Sequence, residues 1–531
     1  MPGHHIADEV VACLRGWTIP LQLCKSSFFV LAGVARTRAS FFSFLGQCMN
    51  APNHIVAGNA HIERARRRIA EVGTWSLLSQ CLDHLRRAPS RGFDWYARCP
   101  YLALLIMKWA AELWREGEQR RASEDADFAF ILQAIWDAGG QLLQQQVPSI
   151  MLRRLAFQQV WYQTTFDIGG IPRQALLFCE LMVDTPPVRA FAEERGLEPR
   201  HFMRQLTQMT FQMGEICGLP ELRMFQAAPG ADDAHHRSLF VPFVVLDLPA
   251  MHRRAQELAA YGTPREVELC EQTFLIRSPF LETERGAECV HPHVFFQTAA
   301  TLFYDVLRER DANQFMRYFG PAFQVYVERV LAELPYRLIC EDALSAMLVG
   351  QGKCVDFAVV SDEALLLLDS KGIEGHYNER YHNLSEVLTP LLKTSALHAA
   401  DQAVETVRRL PDELRRPLTV FLCVSYKQLN VGSGTALRDL TLGTAEWDAP
   451  RWNEPALPPE NLFTVSIAEL EHLCAVLRSG VPLVDVLQRI LACNEVAESK
   501  ALLLGQHLVG YGVSQVPDCA RAAISRVCQT P

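Results

Sequence analysis

The sequence predicts an α+β chain of several domains, with a mostly helical amino-terminal region followed by an α/β domain built on a mixed central sheet. Three observations predict it. The chain has 531 residues, and domains of about 100–200 residues imply about two to four of them. Apolar residues recur at helical spacing from residue 57 to about residue 222. Beyond about residue 310, short β-type runs alternate with helical segments.

Taken in order, residues 57–85 carry apolar positions at helical spacing around a basic cluster, Arg64, Arg66, Arg67 and Arg68. Residues 101–114 and 128–143 continue that pattern, and Pro and Gly fall at the joints: Ala88-Pro89, Cys99-Pro100 and Gly139-Gly140. Helical spacing persists over 147–222, punctuated by Pro186-Pro187 and Gly218-Leu219-Pro220. Residues 227–233 are polar and turn-rich, a loop or linker. Residues 239–248 read as a buried strand or a short buried helix, which periodicity does not separate. Residues 98–102 and 277–281 echo each other as Arg-x-Pro-x-Leu phrases, but so short a repeat is what chance produces.

The character then changes. Residues 313–334 form a helix, and β-type runs follow at 336–340, 354–360, 364–369 and 418–424. A helical segment at 391–410 separates the last two runs, and a strand at 462–465 precedes helices from Ile467 onward. The expected division is a helical region at 1–226, a connecting α/β region at 227–312, an α/β domain at 313–461, and a carboxyl-terminal strand with helices at 462–531.

Composition narrows the function classes. Hydrophobic residues make up 49% and charged residues 21%, a globular balance rather than a disordered one. A net charge of −9 excludes a non-specific nucleic-acid coat, so any nucleic acid must meet a local basic patch. The 16 cysteines include no C-x-x-C pair, which argues against metal knuckles and thioredoxin-type sites and suits a reducing cytosol. The start, MPGHHIADEV, lacks a basic segment followed by an apolar run. The apolar stretches at 28–49 and 100–109 are interrupted by Arg36, Arg38 and Lys108, short of the roughly 18 uninterrupted residues of a membrane span. A cytoplasmic protein without a membrane partner is expected.

The chemistry concentrates between residues 353 and 372. Two apolar runs flank the polar turn Ser361-Asp362-Glu363. A hairpin centred there sets Val360 opposite Leu365, Ala358 opposite Leu367, and Asp356 opposite Asp369. The side-chain roots of two such carboxylates lie about 4.5–5.5 Å apart. Like charges so placed among apolar residues need compensation, and a hard divalent cation such as Mg²⁺ provides it. Lys371, two residues past Asp369, shares its face of the strand.

An Asp in one strand, a short turn, then Asp-x-Lys closing the next strand resembles the PD-(D/E)XK nuclease superfamily. The resemblance covers about residues 313–430 and implies a restriction-endonuclease-like domain with Mg²⁺ or Mn²⁺ as cofactor. It implies Asp356 and Asp369 as metal ligands and Lys371 as the lysine that assists the attacking water. Superfamily members often add a Glu on the preceding helix, matched by Glu328 as a third metal ligand, and a Gln on the following helix, matched by Gln402. Val355 replaces the Pro of the family name. Glu328 flanks the apolar stripe of its helix, and Gln402 falls on the polar side of its own.

Other motifs carry less. Gly350-Gln-Gly-Lys353 lacks the Gly and Ser/Thr that a Walker loop needs, since Met347 and Cys354 stand there. Cys289-Val-His-Pro-His293 has no second ligand pair nearby and reads as a loop. Arg64, Arg66, Arg67 and Arg68, with Arg86, Arg87 and Arg91, either track a phosphate backbone or form a solvated helical face. The segment His376-Tyr-Asn-Glu-Arg-Tyr-His382 sets cationic and aromatic groups close to Lys371, as a loop gripping nucleic acid does. The expected function is a metal-dependent endonuclease acting on DNA, with the helical region recognising a target, a signal or a partner protein. By analogy with multidomain nucleases of this kind, bacterial defence against foreign DNA is the expected role. Two other readings stand beside it: a non-catalytic scaffold on an inactive nuclease-like fold, and a nuclease subunit acting at transposon ends or in recombination.

Overall fold

The computed structural model describes residues 54–86, 100–142, 167–217, 234–262, 265–269, 271–372, 391–441, 454–496, 501, 503–513 and 516–529. These form a mixed α/β structure with two sheets, each containing parallel and antiparallel pairs. The chain divides into two compact units, one drawn from residues 1–166 and 204–302, the other from 167–203 and 303–530. No helix among the described residues is long and apolar enough to cross a membrane.

In the first unit the expected helix at 57–85 is two helices, His54–Glu71 and Thr74–Arg86, separated at Val72-Gly73. Pro100–Leu113 and Asp125–Leu142 follow as expected. The ambiguous stretch at 239–248 resolves into pieces: a helix ending at Phe240, a 3₁₀ turn, and strand β1 at Val245–Leu246. β1 runs parallel to β2 (Phe280–Thr283), which pairs antiparallel with β3 (Gly286–Cys289). Pro100 opens a helix whereas Pro279 leads into β2, so the sequence echo is not a structural repeat.

Several arginines of the first unit pair with its own carboxylates. Arg66 donates to both Glu112 oxygens at 2.9 and 3.2 Å, and Arg265 reaches the same carboxylate at 2.6 Å. The two guanidinium groups hold the Glu112 carboxyl below its ordinary range despite its burial. Arg68 pairs with Glu71 and Asp127, and Arg86 with buried Glu288 at 2.6 Å. Of the expected basic face, Arg64 and Arg67 alone lack a carboxylate partner among the described residues, while Arg87 and Arg91 lie outside them. His291 caps the helix Pro292–Ala299, its Nδ1 accepting the His293 N–H at 3.2 Å, and burial pushes its pKa down to about 4. The phrase is thus not the loop expected: Cys289 ends β3, His291 is the cap and His293 lies within the helix.

The second unit is built on a five-stranded sheet in the order β4-β5-β6-β7-β8. Its strands are β4 (Arg337–Cys340), β5 (Phe357–Val360), β6 (Ala364–Lys371), β7 (Leu418–Ser425) and β8 (Leu462–Ser466). The first two pairings are antiparallel and the last two parallel. β6 is central, and its run Ala364–Leu368 is wholly buried, as expected of a strand covered on both faces. A parallel β6–β7 pair needs a crossover, and the helix His398–Arg408 lies on it. The helix Ala312–Ala332 packs on β4 and β6 through a stripe that includes Phe315, Phe319, Phe323, Val327 and Val330. The three phenylalanines stack at centroid distances of 5.2 and 5.6 Å.

The sheet does not stop at residue 461. β8, expected to open a separate segment, pairs with β7 from Phe421↔Leu462 to Ser425↔Ser466. A helix absent from the sequence reading, Glu341–Met347, stands between β4 and β5. The segment 167–203, expected within the helical region, belongs to this unit because fully buried Arg173 pairs there with Glu471.

Candidate active site

The β5–β6 hairpin has the expected register: Val360 faces Leu365, Ala358 faces Leu367, and Phe357 faces Leu368. The turn lacks Asn-Gly, so its geometry comes from Ser361. Its amide donates to the Ala364 carbonyl at 3.0 Å, and its hydroxyl oxygen accepts the Ala364 N–H at the same distance. Arg416 Nε locks the turn by donating to the Ser361 carbonyl at 2.7 Å. One residue beyond the paired strand, Asp356 therefore stands at the level of Asp369.

Asp369 is completely buried and Lys371 partly so. The Lys371 ammonium lies 2.7 Å from Asp369 Oδ2 in an ion-pair contact. It also donates to Gln402 Oε1 at 3.0 Å, and Gln402 Nε2 donates to the Cys354 carbonyl at 3.1 Å. Gln402 thus bridges Lys371 and the strand leading to Asp356, although helical spacing set it on a polar face. That face looks onto the site rather than into bulk solvent. Asp356 is held by Ser370, whose N–H and hydroxyl donate to Oδ2 at 2.7 and 2.5 Å.

Apart from the Lys371 contact at Oδ2, both oxygens of Asp369 are buried without a hydrogen-bond donor among the described residues. Burial, then the neighbouring Asp356 charge, push its pKa up to about 7 against the opposing pull of Lys371. On the other side Asp369 is level with Cys423 of β7, a buried thiol whose pKa burial raises well above the usual range. Asp369 therefore sits with one cation, one competing anion and apolar walls, a pattern that marks functional carboxylates more often than structural ones.

Glu328 is not gathered in. It is exposed on the helix Ala312–Ala332 and accepts from the Cys340 thiol at 3.5 Å. Among the described residues no group of three or more His, Cys, Asp or Glu side chains converges as a metal cage. Glu328 stands against Cys340 of β4, whose register partner Phe357 adjoins Asp356. Asp356 and Asp369 still fit a Mg²⁺-type ion, because such an ion keeps several waters and takes only one or two carboxylates. Asp369 Oδ1, buried with no contact to Lys371, is the oxygen that such an ion would use first.

The loop 376–382 lies outside the described residues. Gly350-Gln-Gly-Lys353 leads into β5 rather than a helix, which removes the Walker geometry as expected. Ser370 and the Cys354 carbonyl were not visible as site residues in the sequence. Ser370 is the unspecified middle position of Asp-x-Lys, and a carbonyl carries no sequence signal. Compared with protein-family models, with curated proteins and with solved structures, the chain matches none.

Proposed function

We propose that the second unit is a metal-dependent phosphodiesterase of the PD-(D/E)XK type, acting on nucleic acid, with DNA as the first substrate to test. The observation that carries the reading is Asp369: a buried carboxylate beside Asp356 whose one close cation among the described residues is Lys371, 2.7 Å from Oδ2, and whose oxygens have no other hydrogen-bond donor there. A divalent cation held by Asp356 and Asp369 supplies Lewis-acid polarisation of a phosphoryl oxygen and makes water more acidic.

The chain's own residues do the rest. Ser370 fixes Asp356 with two hydrogen bonds, so that carboxylate is oriented before substrate arrives. Gln402 fixes Lys371 through its carbonyl oxygen while its amide is anchored on the Cys354 carbonyl. A lysine so held offers a proton donor and a positive charge to a phosphate in attack. The buried β6 behind the site keeps solvent from screening these charges.

The test is cleavage of plasmid DNA and of single-stranded RNA with Mg²⁺ or Mn²⁺, comparing wild type with Asp369→Ala and Lys371→Ala. Each substitution is expected to lower the rate by about a hundred-fold or more. Calorimetry should show Mn²⁺ binding in the wild type and its loss in Asp369→Ala. Cleavage that survives both substitutions removes the site. A wild type that neither binds metal nor cleaves favours a scaffold on the same fold.

A further inference from the structure

Beside the acidic pair, the helix His398–Arg408 and the loop ending at Lys353 form a second polar arrangement. Arg409, at the end of the helix, donates to three loop carbonyls: Val349 at 3.1 Å, Gly350 at 2.8 Å and Lys353 at 2.8 Å. Glu405 accepts the Lys353 N–H at 2.9 Å. A Cβ at Gly352 would fall 1.8 Å from Glu405 Oε1, so glycine is required for the loop to close on the helix. The clamp serves one visible outcome. It sets the Lys353 ammonium 3.0 Å from His398 Nε2.

That contact fixes the imidazole's state. An ammonium has only donors, so with Lys353 charged this contact assigns Nε2 as acceptor and the imidazole proton to Nδ1. The Lys353 ammonium has no carboxylate partner among the described residues, and Glu405 meets Lys353 through its backbone amide. His398 lies one helical turn before Gln402, which holds Lys371. Burial first, then the Lys353 and Lys371 charges, push the His398 pKa down against the smaller opposing pull of Asp401 and Gln402. An exposed lysine with no carboxylate partner among the described residues, set on an imidazole next to the Lys371 site, leaves a positive charge that an anion can pair with.

We infer that Lys353 and His398 form a second phosphate-binding position, which grips the nucleic-acid backbone beside the phosphodiester presented to Asp356, Asp369 and Lys371. The inference rests on the nuclease reading and specifies its substrate contact. Lys353 supplies the charge, His398 orients it, and Arg409 with Glu405 positions the loop. The ligand is a backbone phosphate of a strand, not a free phosphate ion, because the position lies alongside the reacting one and gains from tethering to it.

The experiment measures cleavage of a short DNA duplex over a range of KCl concentrations for wild type, Lys353→Ala, Lys353→Arg, His398→Ala and Lys371→Ala. Lys353→Ala is expected to raise KM by about ten-fold, with a smaller fall in kcat. Its log–log salt dependence should be shallower by about 0.9, the signature of one lost phosphate contact. Lys353→Arg should restore the slope, and His398→Ala should give a smaller KM effect. Inorganic phosphate at millimolar concentration should inhibit wild type and Lys353→Ala equally, whereas stronger inhibition of the wild type would identify a free-phosphate site and overturn the assignment. Wild-type KM and salt slope in Lys353→Ala, with Lys371→Ala inactive, overturns this inference and leaves the nuclease reading standing. Absence of cleavage in the wild type overturns both. Lys353 is exposed, so an unchanged thermal unfolding curve checks that each variant is folded.

Discussion

At the scale of single residues, Asp369 dominates. Its pKa is near 7 in the folded chain, against about 3.9 for an ordinary Asp in the unfolded one. Between those values the folded state holds a proton that the unfolded state has released. Stability contributed by this group is therefore full at low pH and declines as pH rises toward 7, levelling off above it. From about pH 5 to about pH 7.5 the loss attributable to Asp369 is about 2–3 kcal/mol. Denaturant unfolding of wild type and Asp369→Asn across that range should show this slope in the wild type and a flatter one in the variant; parallel curves would contradict the burial argument. Adding Mn²⁺ should stabilise the wild type more at the upper end of the range, where the carboxyl is ionised and available as a ligand.

At the scale of elements, the Val349–Lys353 loop and the helix His398–Arg408 behave as one piece. Gly352 has a φ of 157° and no room for a side chain beside Glu405. Gly352→Ala should cost about 1–3 kcal/mol in unfolding free energy, as overpacking commonly does. It should also expose the loop to limited proteolysis near Lys353, since the Arg409 bonds to its carbonyls would be broken. A variant as stable and protease-resistant as wild type would show that the clamp is dispensable. The same economy of backbone appears at Gly372, where an added Cβ would come 3.1 Å from Gly320 Cα, so β6 ends against the helix Ala312–Ala332.

At the scale of the whole chain, the second unit is tied together by a buried charge network. Arg173 donates to Glu471 at 2.7 and 2.8 Å and to Asp167 at 3.0 and 3.1 Å, and the Tyr326 hydroxyl donates to Glu471 at 2.6 Å. Arg173 and Glu471 are 298 positions apart, which explains how residues 167–203 join a unit otherwise formed after residue 302. Removing one partner strands a buried charge, so Arg173→Met or Glu471→Leu should each cost about 3–5 kcal/mol. The double substitution should cost less than the two single effects added. Strict additivity in denaturant unfolding would show that the pair does not interact as drawn.

The β5–β6 register, the placement of Asp356 opposite Asp369, and Lys371 on the same strand face followed from the sequence alone. Those features are local: a two-residue period and a short turn fix them before any tertiary contact forms. The longer helices and the five β-runs of the second unit's sheet were legible for the same reason, as one-dimensional periodicity, whereas the short helix Glu341–Met347 and the break at Val72-Gly73 were not. Tertiary structure decided the remainder. It turned Gln402 from a polar helix face into a site residue and set Glu328 against Cys340 of β4. It made β8 part of the central sheet and recruited residues 167–203 through Arg173. It also brought Lys353 to His398 across 45 positions of chain. Each of these depends on which helix face meets which strand. That choice is made by packing between segments distant in sequence, and no periodicity within a segment encodes it.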